Sequence, residues 1–122
     1  MAEGFANRYG KDVMVALSAG IAPGASITPE TIAVMRERNV DVSAHVPLVY
    51  DPREVDECHL VVNLAGVKLV GVPGKKLVEW KVEDPFGRSI ELYRKVRNEL
   101  EARVMSLILD LRLQATKETV RK

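Results

Sequence analysis

The sequence predicts an α/β layered domain built on a mainly parallel sheet. Short, continuous apolar runs are typical of buried strands, and helical periodicity separates and follows them. The resulting order, strand, helix, strand, strand, helix, is the one expected for a parallel sheet covered by helices. With 122 residues the chain fits one domain that has a real hydrophobic core. We expect this domain to span residues 1–113 and a flexible tail, locally basic over Lys117–Lys122, to span residues 114–122.

The first half of the chain alternates helix, strand and helix. Four segments are predicted: a helix over Met1–Tyr9, a strand over Asp12–Ala19, a loop over 21–27 and a helix from Pro29 to about Arg38. The first helix ends at Gly10, a common helix-ending residue. The centre of the strand is continuously apolar, which suits a strand covered on both faces. The second helix begins with Thr28 as its N-cap and a proline at its first position.

The second half contributes the remaining strands and the longest helix. The predicted segments are a helical turn at Asp51–Glu54, strands over His59–Leu64, Val67–Val72 and Lys76–Trp80, and a helix from Ser89 to about Leu111. Glycine and proline crowd the second of these strands, which weakens its pattern. In the helix, apolar residues recur every three or four positions, and Glu91 and Lys95 stand at ion-pair spacing.

Composition excludes several classes of protein. No apolar run approaches the roughly 18 residues of a membrane span, and the N-terminus has no secretory signal, so we expect a cytoplasmic protein. The net charge is +1 with no basic block, which gives no reason to expect nucleic-acid binding. The single cysteine, Cys58, excludes an internal disulfide, and its place before a strand predicts a buried or structural side chain. No histidine, cysteine and carboxylate spacing resembles a metal site, and we expect neither a metal nor a cofactor.

The junction Asp84-Pro85-Phe86-Gly87-Arg88-Ser89 joins the last predicted strand to the last helix. A residue before proline is held in an extended or turn conformation, so the Asp84 carboxylate should project from a loop. Open α/β sheets bind their ligands at such strand ends. The alternative is a plain strand-to-helix turn, because aspartate, proline and glycine are common turn formers.

Several blocks of the sequence resemble the low-molecular-weight protein tyrosine phosphatases and the related arsenate reductases. They occur in the family order: Met1-Ala2-Glu3-Gly4-Phe5, Leu17-Ser18-Ala19-Gly20, Pro29 with Met35-Arg36-Glu37, Val40-Asp41-Val42-Ser43 with His45, and Asp84-Pro85-Phe86-Gly87-x-Ser89-Ile90-x-x-Tyr93. The resemblance covers Met1 to about Leu111. It implies a three-layer α/β/α fold with a four-stranded parallel sheet. It also implies hydrolysis of phosphotyrosine or phosphoarginine through a phosphorylated cysteine.

The resemblance also identifies motifs that are missing from these 122 residues. Family members begin with a buried strand and a Cys-x5-Arg phosphate loop, which supplies the thiolate, the arginine and the amides that hold the phosphoryl oxygens. Here the sequence begins at the methionine that follows this loop in the family, and Leu64 stands six residues after Cys58. A gene start misplaced at an internal methionine and a natural or engineered short form are the two explanations. Whether the chain is an enzyme is therefore open, and we expect no activity from these residues alone.

The resemblance assigns roles to four residues. Asp84 corresponds to the general acid of the family. Phe86 would line the mouth of the pocket, or would instead pack on the final helix. Ser18 and His45 stand where the family has polar residues that brace the phosphate loop. Without that loop, their hydrogen bonds could be made to each other, to water or to a partner chain. Trp80 is expected in the core.

Two further functions and one assembly are expected alternatives. A non-catalytic binding or assembly module could use the same scaffold. An arsenate reductase relative is the other candidate, although thiol-relay reduction of arsenate needs more cysteines. Substrates implied by the resemblance are a phosphorylated protein or a small phosphate ester.

The missing family strand lies between those that correspond to Asp12–Ala19 and His59–Leu64. We therefore expect these strands to pair directly or to be covered in a homodimer, with strand exchange as one route.

Overall fold

The computed structural model describes residues 1–20 and 27–121, with side chains through Thr116. Its elements are α1 (Ala2–Tyr9), α2 (Pro29–Arg36), β1 (Val61–Asn63), β2 (Leu77–Glu79) and α3 (Ile90–Arg121), with short 3-10 helices at Pro52–Glu57 and Gly74–Lys76. β1 and β2 pair in parallel, with Val61 opposite Leu77 and Asn63 opposite Glu79. The predicted α/β class with a parallel sheet is confirmed.

The α1 helix packs its apolar face directly against α3. Phe5 is fully buried, and its ring stacks on that of Tyr9 with 6.2 Å between the ring centroids. The helix ends at Gly10, whose N–H donates to the Ala6 carbonyl. A Cβ at this position would lie 2.9 Å from that carbonyl oxygen and 2.9 Å from Cγ1 of Ile108. Only glycine therefore allows the end of α1 to approach α3 this closely.

The α2 helix has a specific signal at each end. Thr28 Oγ1 accepts a hydrogen bond from the Thr31 N–H, which is the predicted N-cap. At the other end the N–H of Val40 donates to the Met35 carbonyl while Asn39 adopts a φ of 60°. This pairing across a left-handed residue is a Schellman motif, and asparagine is one of the few side chains that accept that conformation.

The α3 helix provides one side of the hydrophobic core. Ser89 Oγ accepts from the Leu92 N–H at the start of the helix. Its buried positions recur every three or four residues: Tyr93, Val96, Arg97, Leu100, Val104 and Ile108. They face α1 and α2, as the periodicity predicts. Trp80 packs against this core, as expected, and the Arg103 guanidinium lies 5.8 Å from the centroid of its ring.

The predicted strand over Asp12–Ala19 is wrong. Residues 14–19 form no ladder, and only a single parallel bridge joins Gly20 to Val49. Val15 and Leu17 are 90% and 81% exposed instead of covered on both faces. An apolar run becomes a buried strand only if another strand lies beside it, and the described residues provide none here.

A side-chain amide takes the place of a strand partner for this segment. Asn7 of α1 accepts from the Ala16 N–H at 3.2 Å and donates to the Ala16 carbonyl at 3.3 Å. This is the pair of bonds that a neighbouring strand would supply. Asn7 thus holds the middle of the segment against α1, with Met14 and Ala16 packed on the core and Val15 and Leu17 turned outward.

The other predictions for this half have mixed outcomes. The strand predicted over Val67–Val72 is wrong, because the Asn63 side chain bonds the Ala65 N–H and the Val67 carbonyl and bends the chain into a turn. Cys58 is exposed, not buried, because it follows the Pro52–Glu57 helix on the surface, where its Sγ lies 3.4 Å from the Glu54 carbonyl. The strands over His59–Leu64 and Lys76–Trp80 are confirmed as the shorter β1 and β2. The loop predicted over 21–27 falls mostly on residues outside the described part.

The final helix is longer than the sequence predicts. Its backbone continues to Arg121, past the expected domain boundary at residue 113. The flexibility expected for residues 114–122 stays a prediction. Among residues 1–20 and 27–121, no helix combines the length and the apolar character needed to cross a membrane.

A charged cluster joins α2 to α3. Arg94 donates to both carboxylate oxygens of Glu37, and Arg97 donates to the same carboxylate and to the Val34 carbonyl. Arg97 is only 5% exposed, so these bonds satisfy a nearly buried cation. Hydrogen bonds from Arg94 and then Arg97 lower the pKa of Glu37 from 4.5 to about 2.

We expect the Asn7→Ala substitution to free the segment that Asn7 holds. Loss of both bonds should speed amide hydrogen exchange at Ala16 roughly tenfold, since a net hydrogen bond contributes roughly 1 kcal/mol. Exchange of the Ala16 amide, measured by NMR, tests this expectation. Arg8→Ala is the matched control, because the exposed Arg8 side chain has no bond among the described residues. Unchanged exchange in Asn7→Ala would contradict the role of the amide.

We expect the Glu37 cluster to make stability depend on acid. Because folding lowers the pKa of Glu37, its stabilising effect is complete above about pH 4.5 and is lost as the pH falls toward about 2. The urea midpoint of Glu37→Gln should therefore lie below that of the unsubstituted chain at neutral pH and converge with it near pH 2. Glu99→Gln, which removes a single half-buried i,i+4 pair with Arg103, should have a smaller effect at neutral pH. A constant difference at every pH would rule out the ionised carboxylate as the cause.

Candidate active-site cleft

The four residues that the resemblance singles out line one cleft. Ser18, His45, Asp84 and Phe86 all face a concavity of about 510 Å³. Its floor is the N-terminal part of α3, where Tyr93, Val96 and Leu100 lie. The two walls come from different parts of the chain: Ser18, Ala19, Gly20, His45, Pro47 and Leu48 on one side, and Leu64, Ala65, Val82, Glu83, Asp84, Pro85 and Phe86 on the other.

Asp84 stands on the loop between β2 and α3. One of its carboxylate oxygens, Oδ1, accepts from the Phe86 N–H at 3.0 Å, so the residue does form the turn that its sequence suggests. No other described group bonds this carboxylate, and the side chain is exposed. The local bond engages Oδ1 and leaves Oδ2 without a partner among the described residues. The turn and the catalytic interpretation of Asp84 are therefore compatible.

Phe86 does not pack on the final helix. Its side chain is 71% exposed at the edge of the cleft, so that alternative interpretation is wrong. The next residue, Gly87, has a φ of 74°, which turns the chain sharply before α3 begins. The aromatic ring is thus an open apolar surface beside the Asp84 carboxylate.

Ser18 and His45 are joined through a third residue, Glu3. The Ser18 hydroxyl donates to Glu3 Oε2 at 3.1 Å, and His45 Nδ1 lies 2.9 Å from the same oxygen. Ser18 Oγ and His45 Nε2 are 3.4 Å apart. Ser18 and His45 thus contact each other, which is one of the expected arrangements, and both also contact Glu3. Sequence reasoning missed Glu3 as a site residue, although it shares one face of α1 with Asn7, four residues later.

This cluster has the composition of a Ser-His-Glu catalytic triad but not its geometry. In a triad the imidazole lies between the hydroxyl and the carboxylate, with one ring nitrogen aimed at each. The two nitrogens point in divergent directions, whereas Ser18 Oγ and Glu3 Oε2 are only 3.1 Å apart. Both oxygens therefore cannot lie in line with the ring, and the serine proton goes to Glu3. The cluster is a polar support that joins α1 to both segments of one wall.

The charge of the lining limits what the cleft can do. Its titratable side chains include Glu83, Asp84 and His45, and no lysine or arginine is among the described residues that form it. These groups can give or take a proton, but the lining has no guanidinium or lysine side chain to hold a phosphate or arsenate dianion. Met1 also lines the cleft, and burial lowers the pKa of its α-amino group. Cys58 is not part of the lining. No group of three or more metal-ligating side chains occurs within the described ranges.

Comparisons with known proteins identify the family of this chain. The family model for "Low molecular weight phosphotyrosine protein phosphatase" matches residues 1–119. The "Glutaredoxin arsenate reductase" of Synechocystis sp. is 32% identical over 113 residues, which cover 88% of this chain and 85% of that protein. The family match over residues 1–119 includes the residues of both cleft walls.

Solved structures are similar over nearly the same span. An arsenate reductase in the phosphate binding state superposes with a TM-score of 0.82 at 32% identity, covering 90% of this chain and 86% of that one. A low-molecular-weight protein tyrosine phosphatase from T. tengcongensis gives a TM-score of 0.71 at 25% identity, with 89% and 88% coverage. Sequence and fold agree, and the chain belongs to the low-molecular-weight phosphotyrosine protein phosphatase family, which includes the arsenate reductases it is similar to.

Proposed function

We propose that this chain provides the proton-transfer and substrate-facing part of a site that hydrolyses phosphate monoesters or phosphoramidates. The observation that supports this proposal is the convergence of Asp84, Phe86, Ser18 and His45 on one cleft. These residues come from three separate stretches of the chain, and the fold brings them to the same concavity. Family membership supplies the reaction class, with phosphotyrosine and phosphoarginine as candidate substrates.

Asp84 is the proposed general acid and base. In the first step its carboxyl group gives a proton to the leaving oxygen or nitrogen while a thiolate attacks phosphorus. In the second step the resulting carboxylate takes a proton from the water that hydrolyses the phosphocysteine. The free Oδ2 and the turn that holds Oδ1 suit a group that must exchange protons with a bound molecule.

The thiolate of this reaction is proposed to come from a segment other than these 122 residues. Cys58 has Leu64 in place of the arginine of Cys-x5-Arg and lies outside the cleft. A strand and phosphate loop placed along the cleft would meet Ser18 and His45 on one wall. These two residues, joined through Glu3, would brace it, and its arginine and amides would supply the positive potential that the cleft lacks.

We expect the 122-residue chain alone to give no detectable hydrolysis of p-nitrophenyl phosphate. Fused behind the strand and Cys-x5-Arg loop of a family member, it should become active. In that fusion, Asp84→Asn should lower kcat by about 10²–10⁴, the usual contribution of a general acid. Asp110→Asn, an exposed carboxylate on α3, is the control and should leave kcat unchanged. Hydrolysis by the unfused chain, or full activity in Asp84→Asn, would contradict these roles.

Arsenate reduction is the second candidate function, because the chain is 32% identical to two proteins named as arsenate reductases. The reaction needs thiols to pass electrons to the arsenic, and the only cysteine here is the exposed Cys58. Formation of arsenite by the same fusion, with glutathione and glutaredoxin as reductants, separates the two functions. Arsenite formation without phosphatase activity would favour reduction.

We further propose that the chain forms a homodimer through residues 12–19, the segment predicted as the first strand. This assembly is compatible with a non-catalytic binding or assembly module. Val15 and Leu17 expose 90% and 81% of their surface on a segment whose hydrogen bonds come largely from side chains. Val46 and Val49, which lie on the segment that follows His45, are 67% and 68% exposed. Covering them removes apolar surface from water, which favours association.

We expect light scattering to give the mass of a dimer at tens of micromolar chain. Leu17→Asp should shift the mass to that of a monomer, because it places a charge in the proposed interface. Leu113→Asp is the control, since Leu113 is 62% exposed on α3 and lies outside the proposed contact. A monomeric mass for the unsubstituted chain would refute the dimer.

A further inference from the structure

We propose that the cleft selects phosphorylated groups that lie among cationic side chains, such as those of lysine and arginine. The inference rests on the proposed function and names the chemical surroundings of its substrate. The described residues do not hold the phosphoryl group, so what they contact is the remainder of the substrate. Their charge and shape therefore decide which substrate is preferred.

The mouth of the cleft has two adjacent carboxylates. Glu83 and Asp84 both belong to its lining, and Glu83 has no hydrogen bond or ion pair among the described residues. Asp84 uses one oxygen for the Phe86 N–H and keeps the other free. A cationic side chain entering the cleft meets both groups, whereas an acidic one is repelled by both.

The opposite wall does not offset this negative charge. His45 is the titratable side chain there, and Glu3 lies 2.9 Å from its Nδ1, so any positive charge on the ring is already paired. The α-amino group of Met1, which also lines the cleft, is buried, and burial lowers its pKa and disfavours its charged form. Arg88 is the nearest arginine in sequence, but it is exposed and absent from the lining, because Gly87 turns the backbone between it and Phe86. Negative charge therefore dominates the part of the cleft that Glu83 and Asp84 form.

Phe86 gives the same selection a second basis. Its ring is 71% exposed beside the two carboxylates. The face of an aromatic ring attracts ammonium and, still more often, guanidinium groups. A planar guanidinium can stack on Phe86 and at the same time donate to a carboxylate, which a neutral or acidic side chain cannot do.

Peptide binding to the ¹⁵N-labelled chain tests the inference without any turnover. The probes are three acetylated, amidated peptides that differ at two positions: Gly-Arg-Arg-Tyr-Gly, Gly-Gln-Gln-Tyr-Gly and Gly-Glu-Glu-Tyr-Gly. Amide shifts of Leu64, Ala65 and Phe86 report occupancy of the cleft. We expect the arginine peptide to bind about three- to tenfold more tightly than the glutamine peptide and the glutamate peptide more weakly than both, the range for exposed ion pairs. This preference should shrink in 0.5 M NaCl.

A pair of variants assigns the preference to the cleft. Glu83→Gln should reduce the arginine preference at least twofold, whereas Glu79→Gln, which changes an exposed glutamate on β2 outside the lining, should leave it intact. Equal binding of the three peptides, shifts outside the cleft only, or no shift with any peptide would overturn the inference. So would a preference that Glu83→Gln leaves unchanged. If the charge preference is found but the phosphate-loop fusion shows no hydrolysis, the proposed function fails and the charge selection stands.

Discussion

Packing of one stripe of α3 against α1 and α2 is the constraint on which the rest of the structure depends. The sheet contributes only two paired strands of three residues each in the described part, too little to hold a domain together. The fully buried side chains, Phe5, Val34, Met35 and Ile108, lie on the three helices. Gly10 allows the closest approach, and the bonds from Arg97 to Glu37 and Val34 join α2 to the same helix.

The same helix gives the cleft a floor that loops alone could not provide. Tyr93, Val96 and Leu100 belong both to the buried stripe and to the bottom of the cleft. The walls are loop segments, held by side chains such as Asn7, Glu3 and Asp84 and by the backbone bonds of Gly20 to Leu48 and Tyr50. Because the floor belongs to the packed core and the walls are loops, small changes of sequence in the walls can alter which ligands the site binds without loss of the core.

Local signals explain which parts of this structure could be predicted. The cap at Thr28, the start of the last helix near Ser89 and the periodicity of α3 depend on signals within a few residues, and all three predictions are confirmed. The strand at Asp12–Ala19 failed because pairing depends on what lies beside a segment, which an apolar run does not specify. Glu3 was missed for the same reason, since its partners Ser18 and His45 lie 15 and 42 positions away. The convergence of the cleft residues came from the family resemblance, not from their spacing.

The contact between Trp80 and Arg103 has a practical consequence for anyone who studies this protein in solution. The chain has one tryptophan, and it sits at the start of the segment that leads from β2 to Asp84, with a guanidinium 5.8 Å from its ring. Indole emission responds to nearby charge and to water. The fluorescence of Trp80 should therefore report, without an attached dye, whether the segment that carries Asp84 is packed against α3.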